Sequence, residues 1–204
     1  MKNILKLGLT LMIYAIIAGL LLGWIYTKTQ PKIEQQARME REIAIKEVMP
    51  ASTSVFVEDT LADGTVIIIG YEDEQKSKVA GYASVAIGGG FSSNIKTMVG
   101  FSPQLKVNAI KVISQNETPG LGTHIQDDWF QKQFSDKSVE QLKVDKDGGK
   151  IESITGATIS SRAVTNSISA LVEKLSTSDE LPGYAKEKKD TIVSSDTIIK
   201  NGVE

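Results

Sequence analysis

The chain has 204 residues, a formal net charge of −2, no cysteine and one histidine, His124. A charge this close to neutral argues against a nucleic-acid-binding surface, which needs a basic face. The lack of cysteine excludes a Cys/His zinc site and a cysteine-held iron–sulfur cluster within this chain, so a redox role would rest on an organic cofactor.

In chain order, the first element is Leu7 to Tyr26, "LGLTLMIYAIIAGLLLGWIY", which carries no charge. Such a stretch, at about 1.5 Å per residue, spans roughly 30 Å, the thickness of bilayer hydrocarbon. Lys2 and Lys6 precede it, Lys28 and Lys32 follow it, and Trp24 and Tyr26 sit where an interfacial aromatic belt would lie. The run is longer than the ~7–15-residue core of a signal peptide and lacks an A-x-A site near its end. It predicts an uncleaved transmembrane anchor over 1–28 in the cell membrane. Lys2, Lys6 and the free amine slightly outweigh Lys28 and Lys32, although Arg38 and Arg41 follow on the far side. The balance leans towards a cytoplasmic N-terminus.

Residues 29–50 read as an amphipathic connecting helix. Ile33, Ala37, Ala44 and Val48 fall near one face, Pro31 suits a first turn, and Pro50 ends the run. The remainder is enough for one modest domain, expected over 51–176. Its strand-like runs are Thr65–Tyr71, after an Asp63-Gly64 turn signal, and Lys78–Ile87, before the glycine cluster at 88–90. Asn94–Phe101 and Lys106–Ser114 flank "SPQL" and predict a hairpin with a longer loop. Trp129–Phe134 reads as a short helix. Ser160–Leu175 is the clearest helix, with Val164, Ile168, Leu171, Val172 and Leu175 on one stripe. Residues 177–204 read as a polar tail with one strand near Thr197–Ile199; the basic run Lys186, Lys188 and Lys189 reads as solvated charge. Strands with helices at both ends predict an α+β fold: one transmembrane helix, then a single domain with a mainly antiparallel sheet and flanking helices.

The chemistry centres on "IESITGATISSRAVTNSI", Ile151 to Ile168. Gly156 can take a conformation other residues resist, and Ala157 is small enough for a bulky group to lie close. Ser160 or Ser161 can cap the helix. The helix N-terminus presents unpaired N–H groups that favour a phosphate near Thr158 without any lysine. There is no Walker G-x-x-x-x-G-K-[ST], so nucleotide hydrolysis is a poor reading. No nearby histidine or lysine would activate Thr158 as a catalytic nucleophile; a hydroxyl modified by another enzyme fits better. Taken alone, this stretch reads best as a plain capped turn.

A second segment, "ETPGLGTHI" from Glu117 to Ile125, places Pro119, Gly120 and Gly122 in a loop where backbone can approach a flat ligand. Glu117 reads as a solvated loop carboxylate rather than a catalytic acid, and His124 as structural rather than as a proton donor. Together, "ETPGLG", "GGGFSSNIKTMVGF", "DGGKIESITGATISSRAV" and the N-terminal span resemble the FMN-binding domain family. The resemblance is strongest to the G subunit of the Rnf electron-transport complex, and more distant to the C subunit of the sodium-pumping NADH:quinone oxidoreductase. It covers nearly the whole chain up to Leu175.

That resemblance implies FMN joined by a phosphoester bond to Thr158, the last residue of an [ST]GAT motif completed by Thr155, Gly156 and Ala157. It implies that Thr118, Leu121 and Gly122 lie against the flavin, and that a separate flavin transferase attaches it from FAD with magnesium. One position departs from the family pattern. Glu152 stands where an aspartate often precedes the modified threonine by six residues, keeping the charge and changing the length. The implied role is an electron carrier with its domain on the extracytoplasmic side. Its partners would be other Rnf membrane subunits, including a second flavinylated one, where electron flow between ferredoxin and NAD drives ion movement. The alternatives are a flavin subunit of the quinone reductase, a stand-alone surface flavin reductase, or a non-redox anchored binding domain.

Overall fold

The computed structural model describes residues 2–178 and 181–184. The expected strand at Thr197–Ile199 and the basic run Lys186, Lys188 and Lys189 lie outside the described residues.

The first helix, α1 (Lys2–Val48), is unbroken. At about 1.5 Å per residue it is roughly 70 Å long. Its N-terminal part has a mean hydropathy of 2.2, which makes α1 long and apolar enough to cross a membrane, and it packs against nothing else among the described residues. Hydroxyls in and beside the span bond back to the helix: Thr10 Oγ1 donates to the Lys6 carbonyl at 2.7 Å and Thr27 Oγ1 to the Trp24 carbonyl at 2.8 Å. A lipid environment demands such internal satisfaction. The expected division into an anchor and a separate connecting helix is corrected, because Pro31 lies inside α1. Proline there withholds one N–H from the Thr27 carbonyl, just beyond the span where water can solvate it. The surrounding Gln, Lys, Glu and Ala residues carry the helix through.

Five strands follow: β1 (Val55–Thr60), β2 (Val66–Tyr71), β3 (Val79–Gly89), β4 (Asn94–Phe101) and β5 (Val107–Ser114). They pair antiparallel in the order β1-β2-β3-β4-β5, each joined to the next by a hairpin. Sequence reading missed β1, an edge strand whose Glu58, Asp59 and Thr60 face solvent and obscure the alternation. The isoleucine run of β2 is buried on both faces. Ile67 and Ile69 point to one core, and Ile68 to another.

The first core lies between the sheet and α3 (Thr158–Thr177), which buries Val164, Ile168, Leu171, Val172 and Leu175. The short helix α2 (Asp128–Lys132) adds Phe130, which meets Phe134 edge-on with centroids 5.4 Å apart. The second core is smaller. Ala44, Val48 and Met49, at the end of α1, pack on Ile68, Ala83 and Met98. Asn108 Nδ2 donates to the Val48 carbonyl at 2.6 Å and caps α1 there.

The domain does not end at 176. Leu181 is buried in the α3-side core, Tyr184 packs against it, and the Tyr82 hydroxyl donates to the Pro182 carbonyl at 2.7 Å. An apolar Leu and Tyr inside a polar stretch, with Pro182-Gly183 turning the chain, account for this return.

Candidate functional site

At one end of the sheet three segments converge: the β3–β4 turn, the loop after β5, and the start of α3. Each is held by specific bonds. The run into α3 is fixed by side chains from elsewhere. Gln133 Oε1 accepts from the Glu152 N–H at 2.7 Å, Asp145 Oδ1 from the Ser153 N–H at 3.0 Å, and Ser161 Oγ from the Ile154 N–H at 3.0 Å. Hydrogen bonds from Ser153 hold the Asp145 carboxyl below its ordinary value, although partial desolvation opposes them.

Ile154 to Ala157 then form a β-turn closed by an Ala157 N–H to Ile154 carbonyl bond of 2.9 Å. Gly156 occupies its third position with φ of 79°, where a side chain would be strained. A Cβ there would also approach Leu121 Cδ2 to 3.1 Å.

The helix starts at Thr158, with Ala157 at the N-cap and no side-chain cap. The expectation that Ser160 or Ser161 caps it is therefore corrected. Both serines are buried inside the first turn, and their hydroxyls are engaged elsewhere. Ser161 bonds the Ala157 carbonyl at 3.0 Å, and Ser160 donates to Glu117 Oε2 at 2.7 Å. The Thr158, Ile159 and Ser160 amides precede the first i−4 bond, so they lack a helical acceptor. The Thr158 side chain is half-buried, and its hydroxyl has no hydrogen-bond partner among the described residues.

Glu117 is not solvated, contrary to its reading from sequence. It is 4% exposed. Oε1 accepts from the Ser92 and Ser93 amides at 3.0 Å and from Ser93 Oγ at 3.2 Å; Oε2 accepts from the Phe91 amide at 3.0 Å and from Ser160. Burial alone would raise its pKa. The Ser160 hydroxyl and the three turn amides outweigh this and hold the carboxyl below the ordinary glutamate value.

Together these segments enclose a cavity of about 340 Å³. Phe91, from the β3–β4 turn, and Leu121 and Ile159 form apolar parts of its wall, exposed by 71%, 44% and 50%. Thr118, Gly122, Gly156, Ala157 and Thr158 complete the lining with Glu117 and Ser160. Of the residues singled out from sequence as cofactor contacts, Thr155 alone is not in the lining; it sits exposed at the turn corner. Glu152 is exposed outside the cavity, and His124 also lies outside it, with Nδ1 2.8 Å from Asp127 Oδ2. Sequence reading missed Phe91, Glu117, Ile159 and Ser160 as lining residues. The signal for Phe91 was an aromatic directly after three glycines, and the other three lie within the two segments already singled out. An apolar wall beside a helix N-terminus suits a flat aromatic group that carries a phosphate.

The FMN-binding domain model matches residues 90–173, and the RnfG N-terminal region model matches residues 1–48. The G subunit of the ion-translocating oxidoreductase complex of Methanosarcina acetivorans is 31% identical over 183 residues, covering 86% of this chain and 96% of that protein. The G subunit of the proton-translocating ferredoxin:NAD(+) oxidoreductase complex of Clostridium ljungdahlii is 31% identical over 184 residues, covering 86% of this chain and 94% of its own length. A crystal structure of the C subunit of the Na(+)-translocating NADH-quinone reductase from Parabacteroides distasonis gives a TM-score of 0.49 at 19% identity, covering 69% of this chain and 85% of that one. The chain thus belongs to the G-subunit family of ion-translocating oxidoreductase complexes, as a membrane-anchored member with an FMN-binding domain.

Proposed function

We propose that this chain is the membrane-anchored, FMN-carrying electron carrier of an ion-translocating complex linking ferredoxin and NAD, with its FMN covalently attached to Thr158. The observation that carries the reading is the junction of the cavity with the start of α3, where Thr158 offers a free hydroxyl beside three amides without helical acceptors. Bound there, FMN supplies one- and two-electron transfer.

The residues present fit that group. Phe91, Leu121 and Ile159 offer apolar surface to a flat ring, and Gly122 and Gly156 contribute bare backbone to the lining. The N-terminus of α3 offsets the negative charge that a phosphodiester retains. Attachment needs a separate flavin transferase with FAD and magnesium. The Thr158 oxygen bonds to the flavin-side phosphorus, the pyrophosphate bond breaks, AMP leaves, and the hydroxyl proton is released. Thr158 is the acceptor in that step and needs no base of its own. A tether also keeps the cofactor from dilution outside the membrane, whatever its affinity.

Partners under this reading are the other membrane subunits of the complex, one of them also flavinylated, together with the transferase. The domain of residues 51–176, extended by Leu181–Tyr184, sits on the extracytoplasmic side, and the N-terminus is cytoplasmic. A cysteine introduced at exposed Lys150 of this cysteine-free chain reports on that orientation. It should react with a membrane-impermeant thiol reagent in intact cells, and protection until lysis reverses the assignment.

Co-expression with a flavin transferase tests the attachment. Wild-type chain should give a fluorescent flavin band on a denaturing gel, and Thr158→Ala should abolish it. A dark wild-type band beside an active transferase sinks the covalent reading.

A further inference from the structure

The buried carboxylate of Glu117 has no part in the attachment chemistry, yet the site is built around it. Both oxygens are fully occupied, by donors 24 to 43 residues away in sequence. That leaves no free lone pair or proton for acid–base work. Two glycines clear room for it. A Cβ at Gly90 would come within 2.5 Å of Glu117 Oε1, and one at Gly122 within 2.7 Å of both Glu117 Cβ and Ser160 Oγ. Backbone elsewhere in the site is therefore shaped to admit this one side chain.

We propose that Glu117 is the positioning residue of the flavin site: it locks the first turn of α3, and with it Thr158, to the Phe91–Ser93 turn and the Thr118–Gly122 loop, and it leaves one fixed negative charge in the cavity wall. The link to Thr158 is short, because Ser160 lies two residues further along the same turn. Charge-assisted bonds of this kind are roughly twice as strong as neutral ones and suit a locking role. A fixed negative charge in a poorly solvated wall opposes the addition of electrons to a neighbouring cofactor. Glu117 therefore sets both where the hydroxyl is presented and how readily the attached flavin accepts electrons. This inference rests on the flavin reading above.

Two substitutions in the full-length chain separate geometry from charge. Glu117→Gln keeps the shape, removes the charge and turns an N–H₂ towards bound donors. It should slow flavin transfer from FAD roughly tenfold, because the charge behind all five bonds that Glu117 accepts is lost, and raise the midpoint potential of the flavin that is attached. Ser160→Ala removes only the bond to α3. It should slow transfer about threefold, keep the wild-type thermal midpoint within a few degrees, and leave the potential unchanged. Wild-type transfer rates in both variants, or a potential in Glu117→Gln that is unchanged or lower, would overturn the proposal. If Glu117→Gln fails to fold, Ser160→Ala decides alone, and a wild-type rate there overturns it. Failure of the wild-type chain itself to take flavin overturns the flavin reading, and this inference with it.

Discussion

The two faces of the sheet are built differently. The α3 face carries Tyr82, Phe101, Phe130 and Phe134, all fully buried, under a helix with a continuous apolar stripe. The α1 face carries alanine, valine, methionine and one buried isoleucine, with no aromatic ring in its cluster, packed on the C-terminal end of α1. Burial at about 25 cal/mol per Å² favours the aromatic face heavily. The face that holds the domain together is thus also the face that holds the cavity, and the other serves as a mount for the anchor. Each helix nevertheless reaches the sheet through the same device, a glycine with no room for a side chain. A Cβ at Gly88 would meet the Ala163 carbonyl oxygen at 2.1 Å, and one at Gly100 would meet the Val48 carbonyl oxygen at 2.0 Å.

That symmetry makes the sharpest comparison. Gly88→Ala should push α3 from β3, lower the thermal midpoint by several degrees for a cost of about 1–3 kcal/mol, and reduce flavin loading. Gly100→Ala meets an equally close backbone and should cost a similar amount at the α1 junction, yet leave flavin loading at the wild-type level. Thermal melts and flavin-band intensity measured on the two variants decide it. Equal loss of loading from both would break the division of labour between the faces.

A smaller effect comes from acid. Glu117, Asp145 and Asp147 all bear on α3 or the run into it, and all have depressed pKa values. Asp147 is held down by bidentate bonds from Arg162, 2.6 and 2.8 Å long. A carboxyl whose folded-state pKa lies below its unfolded value contributes fully above the unfolded value, and that contribution is lost as pH falls through the folded one. For Glu117 the loss therefore begins below its ordinary 4.5. Hydrogen exchange should show α3 amides losing protection in this range before those of Ala44–Met49, and Glu117→Gln should flatten its part of the profile. Simultaneous loss on both faces would contradict the comparison.

Local pattern carried much of this molecule. The uncharged twenty-residue run had the length of a bilayer, whatever followed it. Four strands and α3 were legible because alternation and the 3.6-residue stripe depend only on near neighbours. The TGAT and ETPGLG segments pointed to one ligand class by resemblance, before any geometry was known.

Elsewhere the tertiary structure decided. Pro31 could end or continue a helix, and the helix-forming residues around it, with solvent beyond the span, allowed it to continue. Leu181 looked like part of a polar tail until the sheet offered a core to receive it. Ser160 and Ser161 looked like caps because capping is judged from adjacent residues, but their hydroxyls found better partners within the fold. Glu117 shows the limit most clearly. A glutamate in a glycine-rich loop is ordinarily solvated, and only amides 24 to 26 residues before it and a serine 43 residues after it turn it into a buried anion. Periodicity is written in neighbouring residues, whereas satisfaction of a buried charge depends on donors that only the folded chain brings together.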